Sequence, residues 1–340
     1  MDLLKRLIMA NGVSGDENEV RALIHKEIKA HVDHVEVDKM GNLICHRKGS
    51  KPTVLLAAHM DEVGLIVKGI TSEGLLFCAE VGGLIPLTLI GEKVLVRAKK
   101  GQVHGWLTTR KTSASTEHEE LPTMKDIFID TGLDAKELEA FGVSVGSYVS
   151  FDKHSALDIY GKKIAGKALD NRIGCYILIQ LARALKKSGR DVFFVFTVQE
   201  EIGLYGAWTS MYTLQPDWGI AVDTCVATDL LDEPNKISLG KGPVLTVMDD
   251  RLIASRDLNE HLSSLAAKNG INFQLDITDR GTTDASVISL QKGGVPSTVL
   301  SVPVRNMHMA SGIAHQRDIE NAIKLLSLLL ENPPASSCRL

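Results

Sequence analysis

The chain has 340 residues, of which 44% are hydrophobic and 24% are charged, and its formal net charge is -4 at pH 7. This composition is typical of a folded chain with a large buried core, and it excludes a mainly disordered protein. A slightly acidic chain gives no reason to expect a nucleic-acid partner or an anionic membrane surface, since both would favour a basic stripe.

The cysteines and the N-terminus indicate the compartment. The cysteines are scattered and show no CxxC pairing, which argues against a disulfide framework: Cys45, Cys78, Cys175, Cys225 and Cys338. The N-terminus lacks the apolar core and cleavage site of a signal peptide. No apolar run reaches the roughly 18 residues that a membrane span needs. We therefore predict a protein of the reducing cytoplasm with no membrane partner.

The N-terminal part of the chain predicts a helix followed by a buried strand. The segment Ser14–His31 begins with cap-like residues and continues with apolar residues at helical spacing, which is the pattern of an amphipathic helix. The unbroken apolar run Val54–Ala58 predicts a strand that is buried on both faces.

Between about residues 65 and 160 the pattern changes to short strands separated by glycine-rich turns. The strand-like segments are Leu65–Ile70, Leu75–Ala79, Lys93–Ala98 and Ser147–Phe151. One short helix near Asp134–Phe141 interrupts them, and the polar residues 111–120 predict a loop. These features predict a small β-rich module.

After residue 160 an α/β pattern returns. The segment Asn171–Lys187 has a broad apolar helical face, and Arg317–Glu331 predicts a closing helix. Runs of strand-forming residues occur at Val192–Val198, Trp218–Val222 and Thr298–Val302. We therefore predict an α/β domain made of residues 1–65 and 160–340, with a β-rich domain at 66–159 inserted into it.

Ionisable residues collect where the predicted strands end. Six of them lie at or just beyond the carboxyl ends of predicted strands: His59, Asp61, Glu200, Glu201, Asp223 and His308. Asp170 comes from the turn that starts the helix at Asn171. Because ligands of open α/β sheets bind in the crevice at those strand ends, we expect these side chains at one edge of one sheet.

The residue types at this edge suit metal ions. Two imidazoles and three carboxylates form a donor set for a pair of divalent ions such as Zn²⁺ or Co²⁺. Three carboxylates and a bound hydroxide would nearly neutralise two dications, which makes their burial tolerable. In two-metal sites the ions lie about 3.5–4 Å apart, so that one carboxylate can bridge them.

Each of these residues also has a simpler interpretation. A histidine at a strand end is most often a surface residue or a hydrogen-bonded one, and the pair Glu200-Glu201 could lie in a solvated loop. Asp170 could be only a helix cap, and Asp223 could form only an Asx-turn. The joint placement favours a metal centre over these alternatives without deciding the question.

At these residues the sequence resembles the M42 family of metallo-aminopeptidases, the tetrahedral (TET) aminopeptidase group, which also carries older cellulase M and endoglucanase labels. The resemblance covers nearly the whole chain. The matching segments are 58–64 (AHMDEVG), 167–175 (KALDNRIGC), 198–203 (VQEEIG), Asp223, 281–284 (GTTD) and Arg305 with His308.

The resemblance implies a dinuclear metal-dependent aminopeptidase that releases N-terminal residues from short peptides. One metal ion would be held by His59 and Asp223, and the other by Glu201 and His308. Asp170 would bridge the two ions. The family fold implied is a mixed central sheet with flanking helices, as in zinc peptidases, plus an inserted β-rich dimerisation domain. The implied assembly is a homo-oligomer, often a tetrahedral dodecamer.

The resemblance also implies two catalytic roles. Glu200 would be the general base that takes a proton from the metal-bound water, so that hydroxide is the nucleophile. Asp61 would orient His59, as ligating histidines usually require.

Two features depart from the family pattern. His308 is followed by Met309-Ala310-Ser311, where the family often has Ser and, a few positions later, Glu. Thr282 stands where the family loop Gly-Gly-Thr-Asp has its second glycine, and its Cβ could require a different backbone conformation. Both departures bear on substrate preference more than on metal binding.

Two alternatives to an aminopeptidase stay open. A family member could keep the fold but serve only in assembly or binding. A glycoside hydrolase, as the older label suggests, would need two carboxyl groups flanking a sugar and no metal.

Overall fold

The computed structural model describes residues 1–109, 121–152, 157–185, 189–231 and 236–334. The predicted loop at 111–120 lies outside these ranges. Eight α-helices occur within the described residues: α1 Asp2–Met9, α2 Asn18–Ile28, α3 Ala135–Phe141, α4 Leu169–Ala184, α5 Tyr205–Ser210, α6 Arg256–Lys268, α7 Asp284–Ser289 and α8 Gln316–Glu331. No helix among them is long and apolar enough to cross a membrane.

The described residues also contain seventeen strands, which divide between two sheets. In chain order they are β1 His34–Val37, β2 Leu43–Arg47, β3 Ser50–His59, β4 Gly64–Ile70, β5 Leu76–Val81, β6 Lys93–Ala98, β7 Gly101–Thr109, β8 Ile127–Asp130, β9 Tyr148–Phe151, β10 Asp158–Tyr160, β11 Lys163–Gly166, β12 Arg190–Thr197, β13 Trp218–Val226, β14 Val244–Met248, β15 Gln274–Ile277, β16 Ser297–Arg305 and β17 Gly312–His315.

The larger sheet is mixed, which confirms the predicted fold class. Its order is β1-β2-β12-β3-β13-β16-β17-β11-β10, and β14 joins β16 to β15. The four central strands, β12, β3, β13 and β16, run parallel, with antiparallel strands on either side. The carboxyl ends of these four strands therefore meet at one edge of the sheet.

Helices cover both faces of this sheet. Ile220 and Val222 of β13 belong to the same buried cluster as Ile177 of α4. The intervening residue, Ala221, packs in a separate cluster with Ala285 of α7. Because successive side chains of a strand point to opposite faces, α4 and α7 lie on opposite sides of the sheet. Burial on both faces explains why these strands read as unbroken apolar runs.

The second sheet is a closed barrel of six strands in the order β4-β5-β8-β7-β6-β9. Its strands span residues 64 to 151 of the chain, within the stretch where short strands were predicted. Buried side chains such as Val96, Leu107 and Ile129 fill its interior. The predicted domain limits, 1–65 with 160–340 and 66–159, stay a prediction.

Several elements differ from the sequence-based predictions. The strand predicted to end at Val222 continues to Val226, because Asp223 and Thr224 are buried within the strand rather than exposed after it. Helices α1 and α6 and strands β7 and β8 were not predicted. The helix predicted from Ser14 begins only at Asn18. In α4, Asp170 and Asn171 have non-helical dihedrals, so its regular turns follow them.

Candidate metal centre

The four central strands bring five of the predicted site residues to one edge of the sheet. His59 is the last residue of β3, and Asp223 lies near the end of β13. Glu200 and Glu201 follow β12, and His308 follows β16. The structure therefore places these five residues at one edge of the sheet.

Asp170 lies between two groups of donor atoms. Its Oδ1 is 3.2 Å from Nε2 of His59, and its Oδ2 is 3.4 Å from Nε2 of His308. Oδ1 of Asp223 lies 3.5 Å from Nε2 of His59, and Oε2 of Glu201 lies 3.4 Å from Nε2 of His308. Each group could hold a metal ion, because its candidate ligand atoms all lie within 4.8 Å of one another.

The carboxylates of this cluster carry more negative charge than their protein partners offset. Burial, followed by the charge of Asp170, raises the pKa of Glu201 to about 8. Burial likewise raises the pKa of Glu200 well above its usual value. Glu201 Oε1 is buried without a hydrogen-bond partner among the described residues. A divalent cation would relieve both features, so these residues fit a metal site.

Both imidazoles lie in surroundings that favour a cation. Burial lowers the pKa of His59, but the carboxylates around it, with Glu200 foremost, raise it well above its usual value. Burial also lowers the pKa of His308, but the neighbouring Asp170 and Glu201 raise it to about 9 overall. A metal ion competes with the proton for such a nitrogen, since only the neutral imidazole can be a ligand.

Asp61 is fully buried behind His59 and connects several parts of the centre. Its Oδ1 lies 3.5 Å from Nδ1 of His59. Its oxygens accept hydrogen bonds from the backbone N–H groups of Glu200 and Glu201, at 3.1 and 3.2 Å. The hydroxyl of Ser14 donates to it at 2.6 Å. One carboxylate therefore contacts the imidazole and fixes the backbone of the two glutamates.

Left-handed backbone conformations cluster around the centre. Among the described residues, five of the six non-glycine residues with positive φ are neighbours of site residues or site residues themselves: Ala168, Gln199, Leu204, Asn306 and His308. Such a conformation costs a residue with a Cβ about 1–2 kcal/mol. The surrounding packing must impose these conformations, which is common where side chains are held for function.

The barrel reaches the centre through the turn after β5. Gly82 has φ of 82°, and a Cβ there would lie 2.7 Å from Val63 and 3.3 Å from Cβ of Glu201. A Cβ on Gly83 would lie 3.2 Å from Nδ1 of His308. The two glycines therefore allow the barrel to approach both donors of one group.

Asp284 is a site residue to which the sequence analysis gave no role. It is buried at the start of α7 and accepts a hydrogen bond from Thr197 at 2.6 Å, but its Oδ1 has no partner among the described residues. Burial raises the pKa of Asp284 to about 7, and its charge contributes to the raised pKa of Glu200. Its position in the matched GTTD segment was the only sequence signal.

The departure at Thr282 has a local explanation. In this loop the left-handed residue is Gly281, with φ of 72°, and Thr282 has no positive φ. The Thr282 hydroxyl donates instead to Oδ1 of the buried Asp249 at 3.2 Å. The threonine therefore anchors the loop without the backbone conformation that a glycine would permit.

Comparison with known proteins identifies the family. A sequence profile described as M42 glutamyl aminopeptidase matches residues 41–325. The chain belongs to the M42 family. A lysyl aminopeptidase of Pyrococcus furiosus is 36% identical to this M42 chain over 337 residues, which cover 97% of this chain and 96% of the relative. The resemblance read from the motifs is thereby confirmed.

Solved structures agree with this assignment. An aminopeptidase from the archaeon Desulfurococcus kamchatkensis has a TM-score of 0.92 at 35% identity, covering 97% of this M42 chain and 94% of its own. The TET1 peptidase of Pyrococcus horikoshii, which can assemble into a tetrahedron or a large octahedral shell, has a TM-score of 0.88 at 34% identity, covering 97% and 99%. The family and these relatives are aminopeptidases, which are hydrolases acting on peptide bonds.

Proposed function

We propose that this M42 aminopeptidase uses two divalent metal ions, Zn²⁺ or Co²⁺, to release N-terminal residues from short peptides. The strongest support is Asp170, whose two carboxylate oxygens face two different donor groups. In this proposal His59 and Asp223 hold one ion, and Glu201 and His308 hold the other. Asp170 is shared between them, as a bridging carboxylate is in two-metal sites.

Glu200 would transfer protons, and Asp61 would position Glu200. When bound, such ions lower the pKa of water towards about 7 and polarise the scissile carbonyl. Glu200 belongs to neither donor group, so its carboxylate is left to take a proton from the attacking water and pass it to the leaving amine. Asp61 holds the backbone N–H groups of Glu200 and Glu201, which fixes the base beside a ligand.

We also propose that the chain works as a homo-oligomer, with the barrel domain, residues 66–159, as the dimerisation domain. The similar TET1 peptidase, which can assemble into a tetrahedron or a large octahedral shell, supports an oligomer. Large apolar side chains are exposed on the barrel, namely Leu87, Trp106 and Val145, and an interface that covered them would bury apolar surface. Light scattering on the purified protein measures the subunit number.

The catalytic proposal is tested by metal analysis together with a panel of aminoacyl anilides and short peptides. We expect two ions per chain, release of N-terminal residues and loss of activity on chelation. Glu200→Gln should lower kcat by roughly 10²–10⁴-fold, the usual contribution of a general base. Its metal content should match that of the unmodified protein, because Glu200 is not a proposed ligand.

Other outcomes would support the alternatives. Two bound ions without turnover of any substrate in the panel would contradict the proposal and favour an assembly or binding role. Hydrolysis of cellulose that survives chelation would favour the glycoside hydrolase.

A further inference from the structure

A cavity opens beside one of the two donor groups. Its wall includes all three members of that group, Asp170, Glu201 and His308. The rest of the wall is mostly apolar and is formed chiefly by Val63, Leu169, Val304, Met307 and Met309. Asn306, which also borders the cavity, is exposed.

If the proposed function holds, this cavity is placed to receive the side chain of a substrate's first residue. Hydrolysis there requires the scissile carbonyl to lie at the donor groups. The Cβ of the first residue is only two bonds from the carbonyl carbon, at about 1.5 Å a bond. The side chain therefore starts within a few ångströms of the ligands, and the cavity is a space that Asp170, Glu201 and His308 border.

Apart from the proposed metal centre and its ligand His308, the described lining of the cavity offers no cationic side chain to an acidic substrate residue. No lysine or arginine is among the described residues that line it. The cations nearest to its lining along the chain are both occupied in ion pairs. Arg305 makes a two-point contact with Asp229, at 2.8 and 2.7 Å, and Lys167 is buried against Glu62 at 2.7 Å.

The cavity also lacks a free carboxylate that could pair with a basic side chain, among the described residues. The carboxylates in the wall, Asp170 and Glu201, belong to the proposed metal centre, where their charge is directed at the ions. Outside that centre, a lysine ammonium or a glutamate carboxylate would lose water without gaining a counter-ion from the described lining, which is strongly unfavourable. The flexible, polarisable Met307 and Met309 instead suit apolar side chains of varied shape.

We propose that this chain selects uncharged, apolar N-terminal residues such as leucine and methionine, and that Met307 and Met309 set this preference. The inference rests on the proposed aminopeptidase function. It differs from the specificities in the names of similar proteins, which are glutamyl for the family profile and lysyl for the Pyrococcus furiosus relative.

The test compares kcat/KM of the metal-loaded protein for the anilides of leucine, methionine, glutamate and lysine. The kcat/KM for leucine and for methionine should exceed that for each charged residue by at least on the order of 10- to 200-fold, which a single methylene is already worth in an apolar pocket. Met309→Lys should raise the ratio of glutamate to leucine turnover, and Met309→Leu should keep the apolar preference. Ile277→Lys, which adds the same charge on the exposed edge strand β15, is the matched control and should not change the ratio.

A binding measurement gives a readout that does not depend on turnover. Calorimetry with the Glu200→Gln protein should show tighter binding of Leu-Ala than of Glu-Ala or Lys-Ala. Hydrolysis and binding of a charged N-terminal residue as good as those of leucine would overturn the specificity proposal and leave the aminopeptidase function standing. Absence of turnover on every anilide with two ions bound would overturn both.

Discussion

The barrel buries apolar side chains, whereas the carboxyl edge of the large sheet buries ionisable ones. In the barrel, Val96 and Ile129 are fully buried apolar residues in an apolar cluster. At the sheet edge, Asp61 is fully buried as well, and His59 is only 3% exposed. Burying ionisable groups is unfavourable unless they are paired or bind a metal. Apolar packing alone therefore accounts for the residues of the barrel core. The buried ionisable residues at the sheet edge are unfavourable for packing, which is expected where a functional site requires them.

The two regions nevertheless meet at one point. The Gly82-Gly83 turn of the barrel lies against Glu201 and His308, two of the proposed ligands. A substitution in the barrel interior and a substitution in the candidate metal centre should therefore have separable effects, provided that the Gly82-Gly83 turn keeps its position.

The largest effect is expected from Asp170→Asn. The change removes the charge shared by the two donor groups and weakens one oxygen as a ligand. Metal affinity should fall by more than the roughly 10–100-fold that loss of an outer hydrogen-bond partner costs, and turnover should fall with it. Metal content after dialysis against a graded chelator is the measurement. Retention of two tightly bound ions would mean that Asp170 is not the bridge.

In the barrel, the substitution to compare with Asp170→Asn is Ile129→Ala. Ile129 is fully buried in the barrel core, and truncating such a side chain typically lowers the free energy of unfolding by about 2–5 kcal/mol. Urea unfolding measures this loss. The folded protein should keep its metal content and kcat, since Ile129 packs in the barrel cluster and is not a member of either donor group. A parallel loss of metal would show that barrel packing sets the centre, and the contrast between the regions would fail.

The parts of the molecule that could be predicted from the sequence share a physical reason. Central strands are buried on both faces, so the run Val54–Ala58 is continuous and His59 marks its end. Barrel strands such as β7 alternate buried and exposed residues, which is a weaker signal in a short segment. Asp223 was predicted to lie after its strand, because a charged residue normally ends a buried run.

Contacts between distant residues left no sequence signal. Ser14 lies 47 positions from Asp61, and Glu17 lies 182 positions from Gln199. Both residues were interpreted only as the polar start of a helix. Their buried contacts arise from tertiary packing, and the sequence does not show that packing.

Glu17 also lies where the two regions adjoin, and it gives the smallest of the predicted effects. Its Oε1 accepts hydrogen bonds from Gly15 N–H at 2.7 Å and from Gln199 N–H at 3.2 Å, beside the barrel residue Tyr148, whose pKa its charge helps to raise. Burial raises the pKa of Glu17 from 4.5 to about 7. A glutamine at this position would keep the acceptor oxygen without the charge.

The sign of the pH dependence follows from the raised pKa. Below pH 4.5 the glutamate is protonated in both the folded and the unfolded chain, so Glu17→Gln should change stability little. As the pH rises from 4.5 to about 7, the unfolded chain loses its proton first and the folded chain is destabilised. At about 1.4 kcal/mol per pH unit, the variant should gain up to about 3 kcal/mol by pH 7.

Urea unfolding of both proteins between pH 4 and pH 8 measures this difference, with Glu19→Gln on the exposed side of α2 as the matched control. A stability difference that does not change with pH would mean that Glu17 is as well solvated as an ordinary surface glutamate. The buried, charged character of the sheet edge would then end before the contact with the barrel. A stability difference that grows with pH would instead show that the buried charges of the sheet edge include Glu17, at the contact with the barrel.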